Sequence, residues 1–131
     1  MAMNKNIYLA LAALVIILTA IGVYAFNSYK TTITVTHLPG TAINGNYKLI
    51  VKIYVNYGPF GGTQALPSAD VWLYLNGKFY NQTLTNNQGE AVFYVPPGNY
   101  TILFTVFHIT KSITVNNNTE VVLNYAYLKS S

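Results

Sequence analysis

The sequence contains no cysteine and no arginine, and only three of its 131 residues are acidic. Without cysteine the chain forms no disulfide, builds no thiolate zinc site and carries no lipidated cysteine anchor. Charged residues make up 8% of the chain, whereas a typical soluble domain has about 25%. The lysines are scattered and form no basic cluster, so the composition does not predict nucleic acid as a partner.

Groups that perform catalysis are scarce as well. His37 and His108 lie on different predicted strands without an acidic neighbour in sequence, and no Gly-x-Ser-x-Gly nucleophile elbow is present. The sequence also lacks the clusters of His, Asp or Glu that hold a metal ion. These absences predict a protein that is not an enzyme and that has neither a cofactor nor a metal site.

The N-terminal segment is strongly apolar. Residues 7–26 form an uncharged run of 20 residues, which is about the length that spans hydrocarbon as a helix. Lys5 precedes the run, so the positive-inside rule predicts a cytoplasmic N-terminus with the remaining chain outside. Val23 and Ala25 also fit a signal-peptidase site, so a retained membrane anchor, a filament-core helix and a cleaved signal stay open. We predict a hydrophobic helix over residues 1–29 and an extracytoplasmic domain over residues 30–131.

Three Asn-x-Thr sequons agree with export from the cytoplasm. They begin at Asn81, Asn99 and Asn117, and each is a candidate for N-glycosylation in an exported protein. In a chain rich in Asn and Thr, some sequons arise by chance. They are therefore consistent with an extracytoplasmic domain but do not establish a glycoprotein.

Beyond residue 30 no helical period is present, and turn signals recur at short intervals. Asn76-Gly77, which stands between two apolar runs, is the strongest hairpin signal of the chain. This spacing predicts an all-β fold, an antiparallel Greek-key-type β-sandwich of about seven or eight strands behind the N-terminal α-helix. The predicted strands cover residues 31–37, 47–56, 70–76, 78–84, 90–95, 99–107, 109–115 and 119–127.

Alternation along these strands divides the apolar residues into two sets. Positions such as Phe93, Ile102, Phe104 and Val106 are predicted to face the core. The opposite parity is also rich in apolar and aromatic residues, more than an ordinary monomer exposes in one patch. The alternative is that these side chains are scattered and solvated. The residues predicted to form an assembly or binding face are Trp72, Tyr74, Tyr94, Leu103, Phe107 and Tyr54.

A family resemblance follows from one ordered set of motifs. It consists of Pro67-Ser68-Ala69-x-Val71-x-Leu73, followed by Thr85-Asn86-x-x-Gly89-x-Ala91-x-Phe93-x-Val95-Pro96-Pro97-Gly98-x-Tyr100-x-Ile102. Over about residues 49–123 the chain resembles the carboxypeptidase regulatory-like family, which is similar in build to transthyretin and to Cna-B-type surface modules. The resemblance implies a non-catalytic β-sandwich on a surface or secreted protein.

Cna-B-type modules can form a Lys–Asn isopeptide bond with the help of a buried acid. By residue type and order, the resemblance implies Lys52, Asn124 and Glu90 for these roles. Alternation, however, predicts that all three side chains point outward, away from the dry pocket that the reaction needs. A strand-register error would reverse this assignment, and without such an error the crosslink is not favoured.

The layout of a hydrophobic helix before a small all-β domain also resembles archaeal type IV pilins, in which the helix packs in a filament core. We therefore expect a non-catalytic structural or adhesive protein of a cell or particle surface that self-associates or contacts other surface proteins. One alternative is a monomeric extracellular module that binds glycan or peptide. Another is a membrane-anchored virion subunit. In each case the membrane or filament contact is made through residues 7–26.

Overall fold

The structure, a computed structural model, describes residues 30–127. Within this range there is no helix that could span a membrane. The predicted helix over residues 1–29 lies outside the described residues. The described chain forms nine β-strands: β1 (Thr32–Leu38), β2 (Tyr47–Asn56), β3 (Thr63–Ala65), β4 (Asp70–Leu75), β5 (Lys78–Leu84), β6 (Glu90–Val95), β7 (Gly98–Phe104), β8 (Ile109–Val115) and β9 (Asn118–Ala126).

The strands form two sheets, which confirms the predicted all-β, sandwich-like class. The five-stranded sheet has the order β1-β9-β2, and β6 and β3 both pair with the other side of β2, one beside each part of that strand. The four-stranded sheet has the order β5-β4-β7-β8. All pairs are antiparallel except β2 with β9, which run parallel. This parallel pair departs from the antiparallel pairing that the sequence predicts.

A single hydrophobic core joins the two sheets, because alternate residues of both point into one cluster of buried side chains. Tyr100 and Phe104 are among its largest members, each only 1% exposed. The Tyr100 hydroxyl donates a hydrogen bond of 2.6 Å to the Pro96 carbonyl, which satisfies the polar end of a buried ring. The predicted core positions on β2, β6, β7 and β9 are confirmed as buried.

Two turns illustrate how the sequence sets the register. Asn76 and Gly77 have φ values of 50° and 82°, as a tight turn between right-twisted antiparallel strands requires, and the predicted hairpin is confirmed. Gly89 has a φ of 77°, and a Cβ there would lie 2.6 Å from the Ile53 carbonyl oxygen. Glycine is required at position 89 for both reasons.

The strand predictions miss the short strand β3. Its three residues, Thr63–Ala65, lie between the predicted strands at 47–56 and 70–76. They pair with the end of β2, where Tyr54 faces Ala65 in register. A three-residue strand is too short to carry a readable alternation, so its pairing depends on the neighbouring strand.

Candidate functional site

The six residues of the predicted aromatic face do not lie together. Trp72 pairs directly with Leu103, and both lie with Tyr74 on the outer surface of the four-stranded sheet. Tyr54 and Tyr94 instead lie on the outer surface of the five-stranded sheet, where Tyr94 pairs with Lys48 near the start of β2 and Tyr54 lies near its end. These are opposite sides of the sandwich, so the chain has two outer faces of different chemistry.

Phe107 belongs to neither outer face. Strand β7 ends at Phe104, three residues earlier than predicted, and the chain then turns. Phe107 therefore packs against the core and stacks on Tyr125 with ring centroids 3.9 Å apart. Val106, predicted to be buried, is 54% exposed for the same reason. The alternation rule applies only within a strand, and Val106 and Phe107 lie past the end of β7.

The outer face of the four-stranded sheet carries an aromatic cluster made of Trp72, Tyr74 and Phe79. The Phe79 ring meets Trp72 edge-on at 5.6 Å between centroids and Tyr74 edge-on at 6.0 Å. Sequence reasoning missed Phe79, because a register shift between Leu73 and Tyr74 brings it opposite Tyr74. Such edge-to-face contacts fix ring positions and add roughly 0.5–1.5 kcal/mol beyond burial.

A hydrogen bond also fixes the orientation of the tryptophan. The Trp72 Nε1–H donates to Asp70 Oδ2 at 2.9 Å. Asp70 is one of the chain's three acids, and this bond occupies one of its carboxylate oxygens. The cluster is therefore a rigid patch, with Phe79 55% exposed at its edge and Leu84 60% exposed further along β5.

Next to the aromatic cluster the same face turns polar. Thr101 is paired with Tyr74 on one side and with Ser112 on the other. A pocket of about 280 Å³ opens here. Its lining contains amide and hydroxyl groups but no charged side chain; it consists of Asn76, Gly77, Asn99, Tyr100, Thr101, Ser112, Ile113 and Thr114. This combination of aromatic rings and neutral hydrogen-bonding groups suits a neutral, polar ligand.

The outer face of the five-stranded sheet carries most of the domain's acidic charge. The Lys52 ammonium lies 3.8 Å from Glu90 Oε1 and 3.6 Å from Glu120 Oε2. The predicted outward orientation of Lys52 and Glu90 is thereby confirmed. Lys52 is bound between two carboxylates, while the side-chain oxygen of Asn124 is buried without a hydrogen-bond partner. The side chains of Lys52 and Glu90 keep 25% and 35% of their surface exposed, so these two groups do not lie in the dry pocket that the isopeptide crosslink needs.

The three sequons differ in accessibility. Asn81 and Asn99 are exposed, and the Asn99 oxygen accepts a hydrogen bond of 2.9 Å from the Thr114 hydroxyl. Asn117 is half-buried, and its side-chain oxygen is buried without a partner. The hydroxyl-bearing residue of its sequon, Thr119, is 0% exposed. In the folded domain, Asn81 and Asn99 are the accessible candidates for modification.

The histidines do not come near the carboxylates. His37 is exposed on β1, with its Nδ1 at 3.5 Å from the Thr119 hydroxyl, and His108 is exposed in the turn after β7. In the described residues, the ion pairs are those of Lys52 with Glu90 and Glu120. Across residues 30–127, no three His, Asp or Glu side chains lie close enough together to hold a metal ion.

No family model matches this chain, and no curated protein matches it. The resemblances to carboxypeptidase regulatory-like modules and to pilins therefore remain predictions from the sequence motifs.

Proposed function

We propose that this chain is a non-catalytic structural or adhesive protein of a cell or particle surface, which assembles through the outer face of its four-stranded sheet. The aromatic cluster of Trp72, Tyr74 and Phe79 supports this most directly. Its rings are held in place by contacts with one another, yet Phe79 remains 55% exposed. Rigid aromatic side chains are the most frequent anchors of protein interfaces, because they bury much area at little entropic cost.

The proposed location outside the cytoplasm rests on the sequence. The apolar run over residues 7–26 is long enough for a membrane span or a filament-core helix. The accessible sequons at Asn81 and Asn99 are compatible with an extracytoplasmic domain. The low charge of the domain also suits a surface that contacts other subunits, because charged groups are costly to bury at an interface.

The proposal of a non-catalytic role rests on the contacts of the acidic and histidine side chains. Asp70 accepts a hydrogen bond from Trp72, and Glu90 and Glu120 both face Lys52. A general base needs its partner groups within hydrogen-bond reach of one reacting atom. In residues 30–127 neither histidine forms an ion pair with an acid.

The test is the association of the full chain in detergent, measured by sedimentation. Truncating an aromatic anchor at an interface commonly costs about 2 kcal/mol or more, which corresponds to roughly 30-fold weaker association. We expect the double variant Trp72→Ser/Phe79→Ser to lose association. Tyr94→Ser is the matched control, because Tyr94 is 62% exposed on the opposite face.

Thermal melts of both variants must accompany the measurement, since Trp72 is only half-exposed. If the double variant is folded and associates as strongly as the wild type, the aromatic cluster is not an assembly surface. Equal weakening by Tyr94→Ser would show that the two faces do not differ in the way we propose.

A second candidate function is the binding of a neutral glycan by a monomeric module, and the pocket beside the aromatic cluster favours it. Amide and hydroxyl groups there, such as Asn99, Thr101 and Ser112, can exchange hydrogen bonds with sugar hydroxyls while a nearby ring stacks on the sugar face. Affinity electrophoresis through gels containing neutral polysaccharide tests this function. Retention that is lost in Ser112→Val, from a chain that sediments as a monomer, would support binding over assembly.

A further inference from the structure

Four sheet edges remain open in the described part of the chain, and they are not equivalent. An open edge exposes unpaired backbone N–H and C=O groups, so natural proteins protect it with inward-facing charges, bulges, proline or very short strands. On β8, Lys111 pairs with buried Ile102 and thus lies on the core-facing side. On β5, Lys78 occupies the equivalent position opposite Leu75, and the strand contains a register shift.

The edge beside β2 is protected in another way. It is divided between β6 and the three-residue strand β3. Strand β6 begins with a charged residue, Glu90, whose carboxylate faces Lys52 of the neighbouring strand β2. Neither part offers a long, uniform row of backbone groups. Three of the four open edges therefore carry a recognised device against pairing with another strand.

Strand β1 carries none of these devices. Its sequence TITVTHL has no lysine, acid, proline or glycine. Its register with β9 runs without a shift from Thr32↔Asn124 to Leu38↔Asn118. Ile33 and Val35 pack against the core and hold the strand in place, while Thr34 and Thr36 are exposed. The outer backbone side of β1 is thus a straight, uncharged edge, seven residues long.

We propose that β1 pairs antiparallel with β1 of a second copy, centred on Val35. This register matches all seven residues of the strand. It places Thr34 opposite Thr36 of the second copy, twice by symmetry, and Val35 opposite Val35. Directly opposed residues share a face, and Thr–Thr and β-branched pairs are favourable cross-strand neighbours.

The chemistry of β1 favours a second copy as the occupant. A two-fold contact needs a surface that complements itself, and in this register no charged side chain opposes another. The two five-stranded sheets become one continuous sheet across the two-fold axis. This contact uses a different surface from the aromatic cluster, so the two proposals stand or fall separately.

Introducing charges on β1 tests the contact, with the full chain in detergent at low salt. Thr34→Lys/Thr36→Lys places lysines opposite lysines, and Thr34→Glu/Thr36→Glu does the same with acids. We expect each variant to dissociate at least roughly tenfold more readily than the wild type, and a mixture of the two to recover the dimer. The matched control is Asn87→Lys/Gln88→Lys, because both positions are exposed in the loop between β5 and β6, outside β1, the aromatic cluster and the pocket.

A cysteine scan tests the register, because the natural chain contains no other thiol. Val35→Cys should give a disulfide-linked dimer on mild oxidation. Thr32→Cys, which lies opposite Leu38 in the proposed register, should crosslink far less. A dimer that survives both charge variants, that weakens equally in the Asn87→Lys/Gln88→Lys control, or that crosslinks equally at positions 32 and 35 would overturn the β1 contact. A wild-type chain that stays monomeric would overturn it as well.

Discussion

The two outer faces of the sandwich are formed by the same alternating sequence pattern, but their side chains differ in chemistry. On the five-stranded sheet, the outward residues Lys52, Glu90 and Glu120 satisfy one another as a charge group. On the four-stranded sheet, Trp72 and Phe79 pack edge to face and leave apolar area open to solvent. One face carries charged side chains that are paired with one another, while the other carries exposed rings beside neutral hydrogen-bonding groups.

This contrast indicates which positions of the fold can differ in chemistry. Inward positions of both sheets contribute aliphatic and aromatic residues to one core. The outward positions differ, because packing does not constrain them. We therefore expect a ligand or partner to contact outward residues, and the exposed rings of the four-stranded sheet favour that face.

The largest effect should come from the core that both faces share. Phe93 lies under the five-stranded sheet and Phe104 under the four-stranded sheet, and each is almost completely buried. Truncation to alanine leaves a cavity, so we expect Phe93→Ala and Phe104→Ala each to lower the free energy of unfolding by about 3–5 kcal/mol. Denaturant unfolding measures this loss.

The variants Phe93→Ala and Phe104→Ala also test whether the two sheets unfold as one cooperative unit. If they do, both variants unfold in a single transition with a similar loss of stability. A variant that melts one sheet and leaves the other folded would show that the faces belong to separate units.

A smaller effect should separate Phe107 from Tyr94, which the sequence places on one face. Phe107 stacks on Tyr125 at 3.9 Å and packs against the core, so we expect Phe107→Ala to cost about 2 kcal/mol. Tyr94 is 62% exposed, so Tyr94→Ala should stay within about 0.5 kcal/mol of the wild type. Thermal melts of the two variants decide the matter, and equal losses would contradict this placement of Phe107.

Phe107 also shows how far sequence reasoning reaches. Inside strands, the period of two identifies the buried residues of β2, β6, β7 and β9, because a half-buried strand enforces alternation. Past the end of β7 the rule no longer applies. Phe79 lies inside a strand, yet its neighbour could not be predicted. A register shift changes the residue that Phe79 faces, and this shift leaves no signal in the sequence.

The split of the predicted face has a different cause. Alternation tells which side of its own sheet a residue lies on, but it does not tell which sheet a strand joins. Tyr94 on β6 and Trp72 on β4 are both outward, and strand order places them on opposite sides of the molecule. That order is determined by long-range pairing, such as β2 with β9, which local patterns do not contain.

A third effect concerns Tyr100, which lines the pocket on the four-stranded side. Burial raises the pKa of its hydroxyl, and the nearby Tyr80 adds to the rise. The folded state therefore holds this proton more tightly than the unfolded state does. The resulting stability is complete below about pH 10, the usual tyrosine value, and it is lost as the pH rises through the folded-state pKa.

The variant Tyr100→Phe should therefore flatten the fall in stability above about pH 10. Near neutral pH it should cost about 1 kcal/mol, because the hydrogen bond to the Pro96 carbonyl is lost. Denaturant titrations between pH 8 and 11 measure both effects, with Tyr94→Phe on the exposed opposite face as the control. An unchanged alkaline slope in Tyr100→Phe would mean that another group causes the fall.

The smallest effects should come from the charge group on the five-stranded sheet. The Lys52 ammonium is 3.8 Å from one carboxylate and 3.6 Å from the other, and all three side chains keep between 25% and 35% of their surface exposed. Surface ion pairs of this kind contribute about 0–1 kcal/mol.

We expect Glu120→Gln to cost about 0.5 kcal/mol or less, because Lys52 keeps Glu90 as a partner. Lys52→Gln should cost more, up to about 1 kcal/mol, because it leaves two carboxylates facing each other without a cation. Both losses should shrink in 1 M salt, because salt screens the attraction between exposed charges. Larger losses that persist in salt would show that this face, too, needs its outward residues for folding, and the contrast between the two faces would fail.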